Sequence, residues 1–301
     1  MDKKFQILPL KQNFLGIEKE FSSFDNSKIA ILSCPYEKTT SYGKGTAKGP
    51  AAILKASHYV EFFDEETTKE VCFEKGIVTL KPLNFGKLTG KKALDLIHKN
   101  VKALIDKKKF VVTLGGEHSI STAPIKAHFD SFSKLEGGFS LLHFDAHSDL
   151  RDEYEGSKYS HASFAARAAE FTKDITQVGI RAQCKEEYEF IKQKGINTFY
   201  AYRMRNEGFD YLLREKIIDT LKKNVYITFD VDYFDPSIMP STGTPEPNGF
   251  YWDETMSLLK DVCEKRNVLG FDVAELAPRK DFIFPDFLTA KLVYKILNYK
   301  F

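Results

Sequence analysis

The sequence predicts an α/β fold of three layers, with helices covering both faces of a mainly parallel sheet. Short β-rich runs alternate with longer segments of helical spacing from about residue 28 to the end, as in chains built from βαβ units. The unusual polar clusters fall where predicted strands end, which is where ligands bind in open parallel sheets. An eight-stranded α/β barrel shares this second property and is the alternative architecture.

The individual elements follow from these runs in chain order. Seven strands are predicted, at Lys28–Leu32, Phe110–Leu114, Phe139–Phe144, Asp174–Gly179, Asn197–Tyr200, Val225–Val231 and Val268–Val273. Six helices are predicted, at Gly49–Ser57, Lys91–Asp106, Lys185–Lys194, Asp210–Lys222, Trp252–Lys265 and Phe287–Asn298. Pro50 suits the first turn of the first helix, where an N–H would have no partner. Without a repeat or a linker, residues 1–301 are predicted to form one domain.

Composition argues against several classes of protein. The 44 basic and 42 acidic residues nearly balance, so we expect neither a nucleic-acid surface nor a membrane surface. No stretch reaches the ~18 apolar residues of a membrane span, and the N-terminus lacks the apolar core of a signal peptide. We therefore expect a cytoplasmic protein. Its four cysteines lie far apart without a CxxC pair, which favours reduced thiols over a disulfide framework.

The densest cluster of candidate metal ligands follows the strand Phe139–Phe144. Asp145, His147 and Asp149 are spaced at i, i+2 and i+4, which on an extended chain places their side chains on one side. Three potential ligands on one face, just past an apolar strand, predict a metal site. The alternative interpretation is a polar loop in which an aspartate caps a helix.

A second acidic pair, Asp230 and Asp232, ends the strand Val225–Val231 and again shares one face. Two carboxylates this close cannot both stay ionised in a site that excludes water unless a cation is present. The alternative is an exposed edge strand with solvated acids, but the apolar neighbours Ile227 and Phe229 weigh against it.

The third cluster is the motif GGEHS at 115–119, which predicts a sharp turn after a strand that exposes His118. A glycine-rich phosphate cradle is the rival interpretation, but neither GxxxxGK[ST] nor GxGxxG occurs there. The segment GKGTAKG at 43–49 also fails both patterns, and we interpret it as a substrate-side or subunit-contact loop.

Together these clusters supply four aspartates and two histidines as candidate ligands. An oxygen-rich set with imidazole suits Mn²⁺, with Fe²⁺, Co²⁺ and Zn²⁺ as competitors. Two such metals can share a water and lower its pKa toward ~7, which would provide a hydroxide nucleophile. Because four carboxylates neutralise two divalent cations, a bridging hydroxide leaves a formal charge of about −1 that favours a cationic substrate.

Two further residues are candidates for catalysis and for substrate binding. His161, in the sequence SHAS, is a candidate general acid for a leaving amine, the alternative being a surface-loop histidine. Glu275 follows the strand Val268–Val273, where a buried acid can clamp a guanidinium group by paired hydrogen bonds. The alternative for Glu275 is a helix-capping acid. Asp272 is out of phase with Glu275, so their side chains cannot point the same way on a regular strand.

In this order, these segments resemble the ureohydrolase family of agmatinases, arginases and formimidoylglutamases. The matching motifs are GGEHS at 115–119, DAHSD at 145–149, SHAS at 160–163, FDVDYFDP at 229–236 and DVAELAP at 272–278. TGTPEPNGF at 242–250 is also similar to the family's substrate-side loop. The resemblance spans roughly residues 30–300, so residues 1–27 are interpreted as an extension and 28–301 as the catalytic core.

The resemblance implies an arginase-like α/β/α fold with eight parallel strands, two Mn²⁺ per subunit and a homotrimer or homohexamer. By motif, one metal would be held by His118, Asp145, Asp149 and Asp230. The other would be held by Asp145, His147, Asp230 and Asp232. Asp145 and Asp230 would bridge the two ions. His161 would match the family's proton-shuttling histidine, and Glu275 the acid that grips the guanidinium group.

The segment LRDEYEGSKYSHAS at 150–163 looks like agmatinase relatives, because it lacks the Asn and Ser residues with which arginases read an amino acid. This implies hydrolysis of agmatine to putrescine and urea, by attack of a metal-bridging hydroxide on the guanidinium carbon. The acids Asp152, Glu153 and Glu155 either attract such an amine or form a solvated surface.

Three alternatives to this activity remain open. The first keeps the chemistry on arginine, guanidinobutyrate or formimidoylglutamate, with Arg151 as the candidate partner of a carboxylate. The second is a metallophosphoesterase, which the absence of an obvious Arg or Lys phosphate clamp beside the acids disfavours. The third is a non-catalytic metal-binding relative, which a missing ligand would favour.

Overall fold

A computed structural model describes residues 5–301 and has a central sheet of eight strands, all of whose pairings are parallel. In chain order the strands are β1 (Ile29–Cys34), β2 (Ile77–Thr79), β3 (Phe110–Gly115), β4 (Phe139–Phe144), β5 (Ile175–Ile180), β6 (Asn197–Tyr200), β7 (Asn224–Asp230) and β8 (Asn267–Ala274). Their order across the sheet is β2-β1-β3-β8-β7-β4-β5-β6. All seven predicted strands are confirmed within two residues at each end, and β2 was missed.

The helices lie between the strands along the chain. They are α1 (Lys19–Ser22), α2 (Gly49–Ser57), α3 (Val71–Lys75), α4 (Gly90–Asp106), α5 (Thr122–Phe132), α6 (Phe164–Ala168), α7 (Lys185–Lys194), α8 (Ala201–Glu207), α9 (Tyr211–Asp219), α10 (Trp252–Lys265) and α11 (Phe284–Lys300). The six predicted helices are present. The segment predicted at Asp210–Lys222 ends three residues early, and α5 is the long helix that was not predicted. None of the helices between residues 5 and 301 is long and apolar enough to cross a membrane.

The three-layer prediction is confirmed by the way strand side chains divide between two faces. In β1, Ile29 and Ile31 belong to a core that includes residues of α2, α10 and α11. Ala30 and Leu32, which point the other way because side chains alternate along a strand, belong to a core that includes residues of α4 and α5. Helices therefore cover both faces of the sheet.

The sheet is open, so the barrel alternative is wrong. Within the described residues β2 pairs with β1 alone and β6 pairs with β5 alone, which leaves both as edge strands. The chain avoids a closed barrel because β8 is inserted between β3 and β7 instead of extending an edge.

The N-terminal extension packs against the core over residues 5–27. Phe14 and Leu15 are buried. Their backbone N–H groups donate to Thr79 Oγ1 at 2.9 Å and to Ser57 Oγ at 2.8 Å, respectively. Ile7 forms an antiparallel bridge with Leu80 just beyond β2. The extension is therefore anchored to the edge strand β2 and to α2.

Candidate metal centre

The six predicted metal ligands lie together at the carboxyl edge of the sheet. His118 follows β3, and Asp230 ends β7. Asp145, His147 and Asp149 follow β4, while Asp232 lies in the helical turn after β7. Because β3, β8, β7 and β4 are neighbours in the centre of the sheet, their carboxyl ends bring these segments to one place.

The first group of ligands surrounds the His118 ring. Its Nδ1 lies 3.0 Å from Asp145 Oδ2, 3.0 Å from Asp230 Oδ2 and 3.5 Å from Asp149 Oδ2. All four side chains are buried from solvent. His118 was predicted to be exposed by its turn, but it is only 1% accessible, so the turn presents it to the other ligands and not to water.

The second group surrounds the ring of His147. Its Nδ1 lies 2.9 Å from Asp232 Oδ2 and 3.6 Å from Asp145 Oδ1. The backbone N–H of Asp232 donates to Asp230 Oδ1 at 2.8 Å, which links this group to the first. Asp145 therefore belongs to both groups, with one carboxylate oxygen facing each histidine.

This arrangement has the features of a cation site. His118 Nδ1 is buried and has no hydrogen-bond partner of acceptable geometry among residues 5–301, although three carboxylate oxygens lie within 3.5 Å. Burial and the charge of Asp145 raise the pKa of Asp149 well above its usual range. Burial and the charge of Asp232 do the same for Asp230. Bound cations would relieve this crowding of negative charge, so the donors fit metal ions.

A hydrogen-bonded chain behind His118 fixes the direction of its ring. The Thr228 hydroxyl donates to Asp272 Oδ1 at 2.7 Å, so at His118 Nε2, 3.0 Å away, it can act only as an acceptor. Nε2 therefore carries a hydrogen, and Nδ1 is left to face the carboxylates. Such outer partners orient metal-binding histidines in general. The role of Thr228 was not predicted from the sequence. Asp272 does point away from Glu275, as their spacing predicted.

His143 also lies beside the centre and was not predicted. Its Nε2 is 2.7 Å from Asp145 Oδ2, and its Nδ1 is 3.1 Å from the amide nitrogen of Gln177. Because that amide is a donor, Nδ1 is the acceptor and Nε2 carries the hydrogen. His143 therefore donates to Asp145 and orients it, and its ring is not free to bind a metal. The available signal was its spacing, two residues before Asp145 on the same strand face.

Glu275 lies just beyond the end of β8 and lines the same cavity as the predicted ligands. Its φ of 66° is in the left-handed region, and its N–H donates to Gly116 O at 2.8 Å. Its Oε1 accepts the N–H of His118 at 2.6 Å. Burial raises the pKa of Glu275 to about 8. The carboxylate is therefore anchored by one oxygen and would be kept ionised by a nearby cation.

His161 lines the cavity too, at the start of a helical turn spanning His161–Ser163. The Tyr154 ring packs edge-on against it, with 5.7 Å between the ring centres. Burial lowers the pKa of His161 below its usual value, with a smaller contribution from His147 and an opposing one from Glu117. The ring is therefore neutral near pH 7, and its place in the wall of the cavity favours a role in the site over that of a surface-loop histidine.

Two loops border the cavity, which has a volume of about 170 Å³. Gly43, from the segment GKGTAKG, donates its N–H to Gly243 O at 3.1 Å. A Cβ on Gly43 would lie only 2.7 Å from that same oxygen, so the close approach needs glycine. Gly243 and Thr244 belong to the segment TGTPEPNGF and line the cavity. Both segments therefore lie where a substrate would enter.

The charged segment after Asp149 lies at the mouth of this cavity. Arg151 lines it, with its guanidinium carbon 5.1 Å from the centre of the Tyr154 ring and Nε 3.9 Å from Glu187 Oε2. Asp152 is paired with Arg167 at 2.6 Å and with Lys158 at 3.2 Å. Asp152 is therefore an exposed acid that is already paired with the buried Arg167 and with Lys158, which favours the solvated-surface interpretation for this acid.

Arg181 is a structural residue of the site that no sequence motif indicated. Its guanidinium donates to the carbonyl of Asp232 at 2.6 Å, and to those of Glu246 and Pro247 at 3.0 Å each. It therefore ties the segment that carries Asp232 to the loop that borders the cavity. The donors of one guanidinium group, spread in a rigid fork, suit several carbonyl oxygens at once.

Known proteins are similar to this chain over most of its length. The sequence profile of the arginase family matches residues 27–298. The N(1)-aminopropylagmatine ureohydrolase of Synechocystis sp. is 36% identical over 282 residues, which cover 92% of this chain and 90% of that protein. The agmatinase of Bacillus cereus is 34% identical over 272 residues, or 87% of this chain and 88% of the relative. The solved structure of the agmatine ureohydrolase of Thermoplasma volcanium has a TM-score of 0.85 and 28% identity, covering 98% of this chain and 95% of that one.

Proposed function

The chain belongs to the arginase family, as its motifs predicted, and we propose that it releases urea from agmatine or from an N-substituted agmatine. It is an amidinohydrolase of that family, a class that hydrolyses C–N bonds. The observation that carries the proposal is the position of two histidine–carboxylate groups, joined by Asp145, beside Glu275 and His161 around one cavity.

The donor set supports two divalent metal ions. His118, with Asp145, Asp149 and Asp230, would hold one ion. His147, with Asp145, Asp230 and Asp232, would hold the other. We propose Mn²⁺ for both because carboxylates dominate the set and imidazole completes it. When bound, such a pair lowers the pKa of a shared water, so that a nucleophile is available near neutral pH.

Glu275 is the proposed partner of the substrate's guanidinium group. Its Oε1 is held by the N–H of His118, and its Oε2 lies on the side of Gly243, which lines the cavity. A guanidinium group presents its donors in one plane and pairs well with a carboxylate. Glu275 would therefore bind and orient the group whose carbon is attacked.

His161 is the proposed proton carrier. Because burial keeps its pKa low, the ring is neutral at pH 7 and can take up a proton in the cavity. Passing that proton to the leaving nitrogen lets the product depart as an amine, which is the role of a general acid. Its place beside the ligands and Glu275 in one cavity supports this assignment.

The charge of the site favours a cationic substrate. Four aspartates balance two divalent cations, and the buried Glu275 adds a further negative charge. Agmatine carries an ammonium group besides its guanidinium group. The two relatives above are named for agmatine and for N(1)-aminopropylagmatine, which makes the longer amine the second candidate substrate.

Guanidines that carry a carboxylate have weaker support as substrates. Arg151 is the cation at the mouth of the cavity that could receive one, but its guanidinium already stacks on Tyr154 and faces Glu187. A carboxylate would therefore compete with an existing acid for the same side chain. We rank arginine and guanidinobutyrate below the two amines for this reason.

The test is urea release by Mn²⁺-loaded protein from agmatine, N(1)-aminopropylagmatine, arginine and guanidinobutyrate, each compared by kcat/KM. We expect urea from one or both amines and at least tenfold less from the carboxylates. Faster hydrolysis of arginine would overturn the substrate class but keep the chemistry. If two metals bind and no guanidine yields urea, the proposed activity is wrong, and a non-guanidine substrate such as formimidoylglutamate or a non-catalytic role takes its place.

We also propose that the chain acts in the cytoplasm as a homotrimer or homohexamer. Phe282, Ile283 and Phe284 are consecutive apolar residues that are 42%, 77% and 47% exposed. Association would bury such a surface. Light scattering on the purified protein should give three or six times the chain mass of 34.4 kDa, and a mass equal to one chain would contradict the proposal.

A further inference from the structure

Glu117 is a buried acid that the chemistry above does not use. Its carboxylate is fully enclosed, and its two oxygens accept four hydrogen bonds. Oε2 accepts from the backbone N–H groups of Lys38 and Thr39, at 2.5 and 2.6 Å. Oε1 accepts from the hydroxyls of Thr39 and Ser119, at 2.7 and 2.6 Å. An ionised carboxylate has only acceptors, which matches the donors around it. Glu117 therefore fixes the Thr39 hydroxyl in direction as well as in place.

The Thr39 hydroxyl lies between Glu117 and His161. Besides donating to Glu117, its oxygen accepts the backbone N–H of His161 at 3.0 Å and lies 3.4 Å from His161 Nδ1. A hydroxyl has one hydrogen and two acceptor positions. Since the hydrogen is committed to Glu117, Thr39 can act only as an acceptor toward the imidazole.

We propose that Thr39, held by Glu117, is a positioning residue that keeps the hydrogen of the neutral His161 ring on Nδ1. The lone pair then lies on Nε2, the nitrogen that is left to exchange a proton in the cavity. This inference rests on the proposed role of His161 as proton carrier. It adds that Thr39, which lies in the segment after β1 and 122 residues before His161, determines which ring nitrogen of that histidine carries the hydrogen.

The geometry also explains why the ring needs such a partner. The Tyr154 ring packs against one side of His161 and makes no hydrogen bond to it, so it does not select between the two ring nitrogens. Without the Thr39 oxygen the two tautomers would differ less in energy, and part of the protein would hold Nε2 protonated. That fraction could not accept a proton at Nε2.

Kinetics provide the first test, using Thr39→Val, which keeps the shape and removes the hydroxyl, and Thr39→Ser, which restores it. We expect Thr39→Val to lower kcat about tenfold with bound Mn²⁺ unchanged, which is less than the 10²–10⁴-fold share of acid–base catalysis because part of the protein still holds Nε2 free. We expect Thr39→Ser to recover kcat to within about threefold of the parent, since it supplies the same donor and acceptor. An equal loss in both variants would overturn the proposal, because the hydroxyl would then not be the cause.

A double-mutant cycle separates positioning from general damage. If Thr39 acts only through His161, Thr39→Val in a His161→Ala background should change kcat by less than about twofold. The same loss in both backgrounds would mean that Thr39 acts independently of the histidine. Metal content and melting temperature of each variant show whether it is folded.

A third measurement is independent of activity. Neutron diffraction from crystals of the metal-loaded parent protein should place a hydrogen on His161 Nδ1 and the Thr39 hydroxyl hydrogen toward Glu117. A hydroxyl hydrogen pointing at Nδ1 would overturn the proposal even if urea release is normal. Absence of urea release with the expected hydrogens would instead count against the proposed function.

Discussion

At the level of single residues, the proposed metal centre depends on aspartates that link its two groups of ligands. Asp230 contacts His118 through Oδ2 and accepts the backbone N–H of Asp232 through Oδ1. We expect Asp230→Ala to lose bound metal and activity together, because both ions lose a ligand. The control is Asp235→Ala, an acid of the same motif that bonds Ser237 and Gly249 and should keep both ions. Two ions per chain in Asp230→Ala, by elemental analysis, would refute the shared role.

His161 gives the opposite pattern, since it binds no metal in this proposal. We expect His161→Ala to keep both ions and to lower kcat by roughly 10²–10⁴-fold, the usual share of a general acid–base residue. Added imidazole should restore part of the rate by entering the space that the ring vacates. Turnover at the parent rate would mean that another group carries the proton.

Glu275 has two tasks that one substitution can separate. In Glu275→Gln the side-chain oxygen can still accept the N–H of His118, but an amide donor then faces the guanidinium donors of the substrate. We expect kcat/KM to fall about 10- to 100-fold, as for loss of a hydrogen bond to a charged group. Metal content should be unchanged. Parent values of kcat and KM would rule out the proposed contact.

Much of the centre could be predicted from residue types and spacing, and the rest could not for physical reasons. The six candidate ligands are polar residues that follow apolar strands, so they can be recognised from the change from apolar to polar residues along the sequence. Thr39, Glu117, Thr228 and Arg181 act through hydrogen bonds to groups between 50 and 125 residues away in sequence. No local pattern distinguishes such a threonine or arginine from one on the surface.

At the level of elements, α5 lies against the sheet through a histidine that must remain neutral. His128 is fully buried, and its Nδ1 lies 2.8 Å from Pro124 O. Gly270 of β8 leaves room for it, since a Cβ there would lie 2.4 Å from His128 Nε2. Burial lowers the pKa of His128 to about 4, with the Pro124 carbonyl opposing the shift. Protonation of His128 would therefore lower the free energy of unfolding, because the charged ring would be buried between α5 and the sheet.

This predicts a pH dependence of stability. Between pH ~6.5 and ~4, His128 is protonated in the unfolded chain but stays neutral in the folded protein. The free energy of unfolding is therefore highest above this range and decreases as pH falls through it. The loss from this one group is on the order of 3 kcal/mol. Urea unfolding of the parent and of His128→Leu at pH 7 and pH 4.5 checks it. The variant should lose less stability over this interval, and identical losses would contradict the assignment.

The two elements missed by sequence reasoning have weak signals for different reasons. β2 has only three residues, Ile77–Thr79, which is too short a run to show a period. Ile125 is the one large aliphatic residue on the buried face of α5, whose other members are two alanines, a proline and a histidine, so its apolar spacing is poor. The longer, strongly patterned α4 and α10 were predicted within one residue.

At the level of the whole molecule, we expect ion binding at the proposed metal centre to stabilise the fold. Without ions, burial raises the pKa of Glu275 to about 8. Such a group stabilises the fold below its unfolded pKa, and that contribution is lost as pH rises through the folded value. We expect chelation to lower the melting temperature, and by more at pH 8 than at pH 6, because bound cations keep Glu275 ionised at no such cost. Scanning calorimetry with and without chelator measures this, and a larger effect at pH 6 would contradict it.

The strand order could not be predicted from this one sequence. Parallel strands joined by helices can be arranged in several orders with the same burial pattern, since every central strand is apolar on both faces. In the observed order, Asp272 is in register with Thr113 on one side and with Thr228 on the other. This register places Asp272 beside Thr228 and Ser121, whose hydroxyls satisfy its buried carboxylate.

The central position of β8 in the sheet has a consequence for folding during synthesis. Of the eight strands β8 is the last in sequence, yet it pairs with both β3 and β7. Without it the sheet would divide in two, with His118 on one part and all four aspartates and His147 on the other. We therefore expect the ion site that needs His118 to be completed only after β8 has been made. A chain that stops before residue 267 would present two unpaired inner strand edges, which are templates for aggregation.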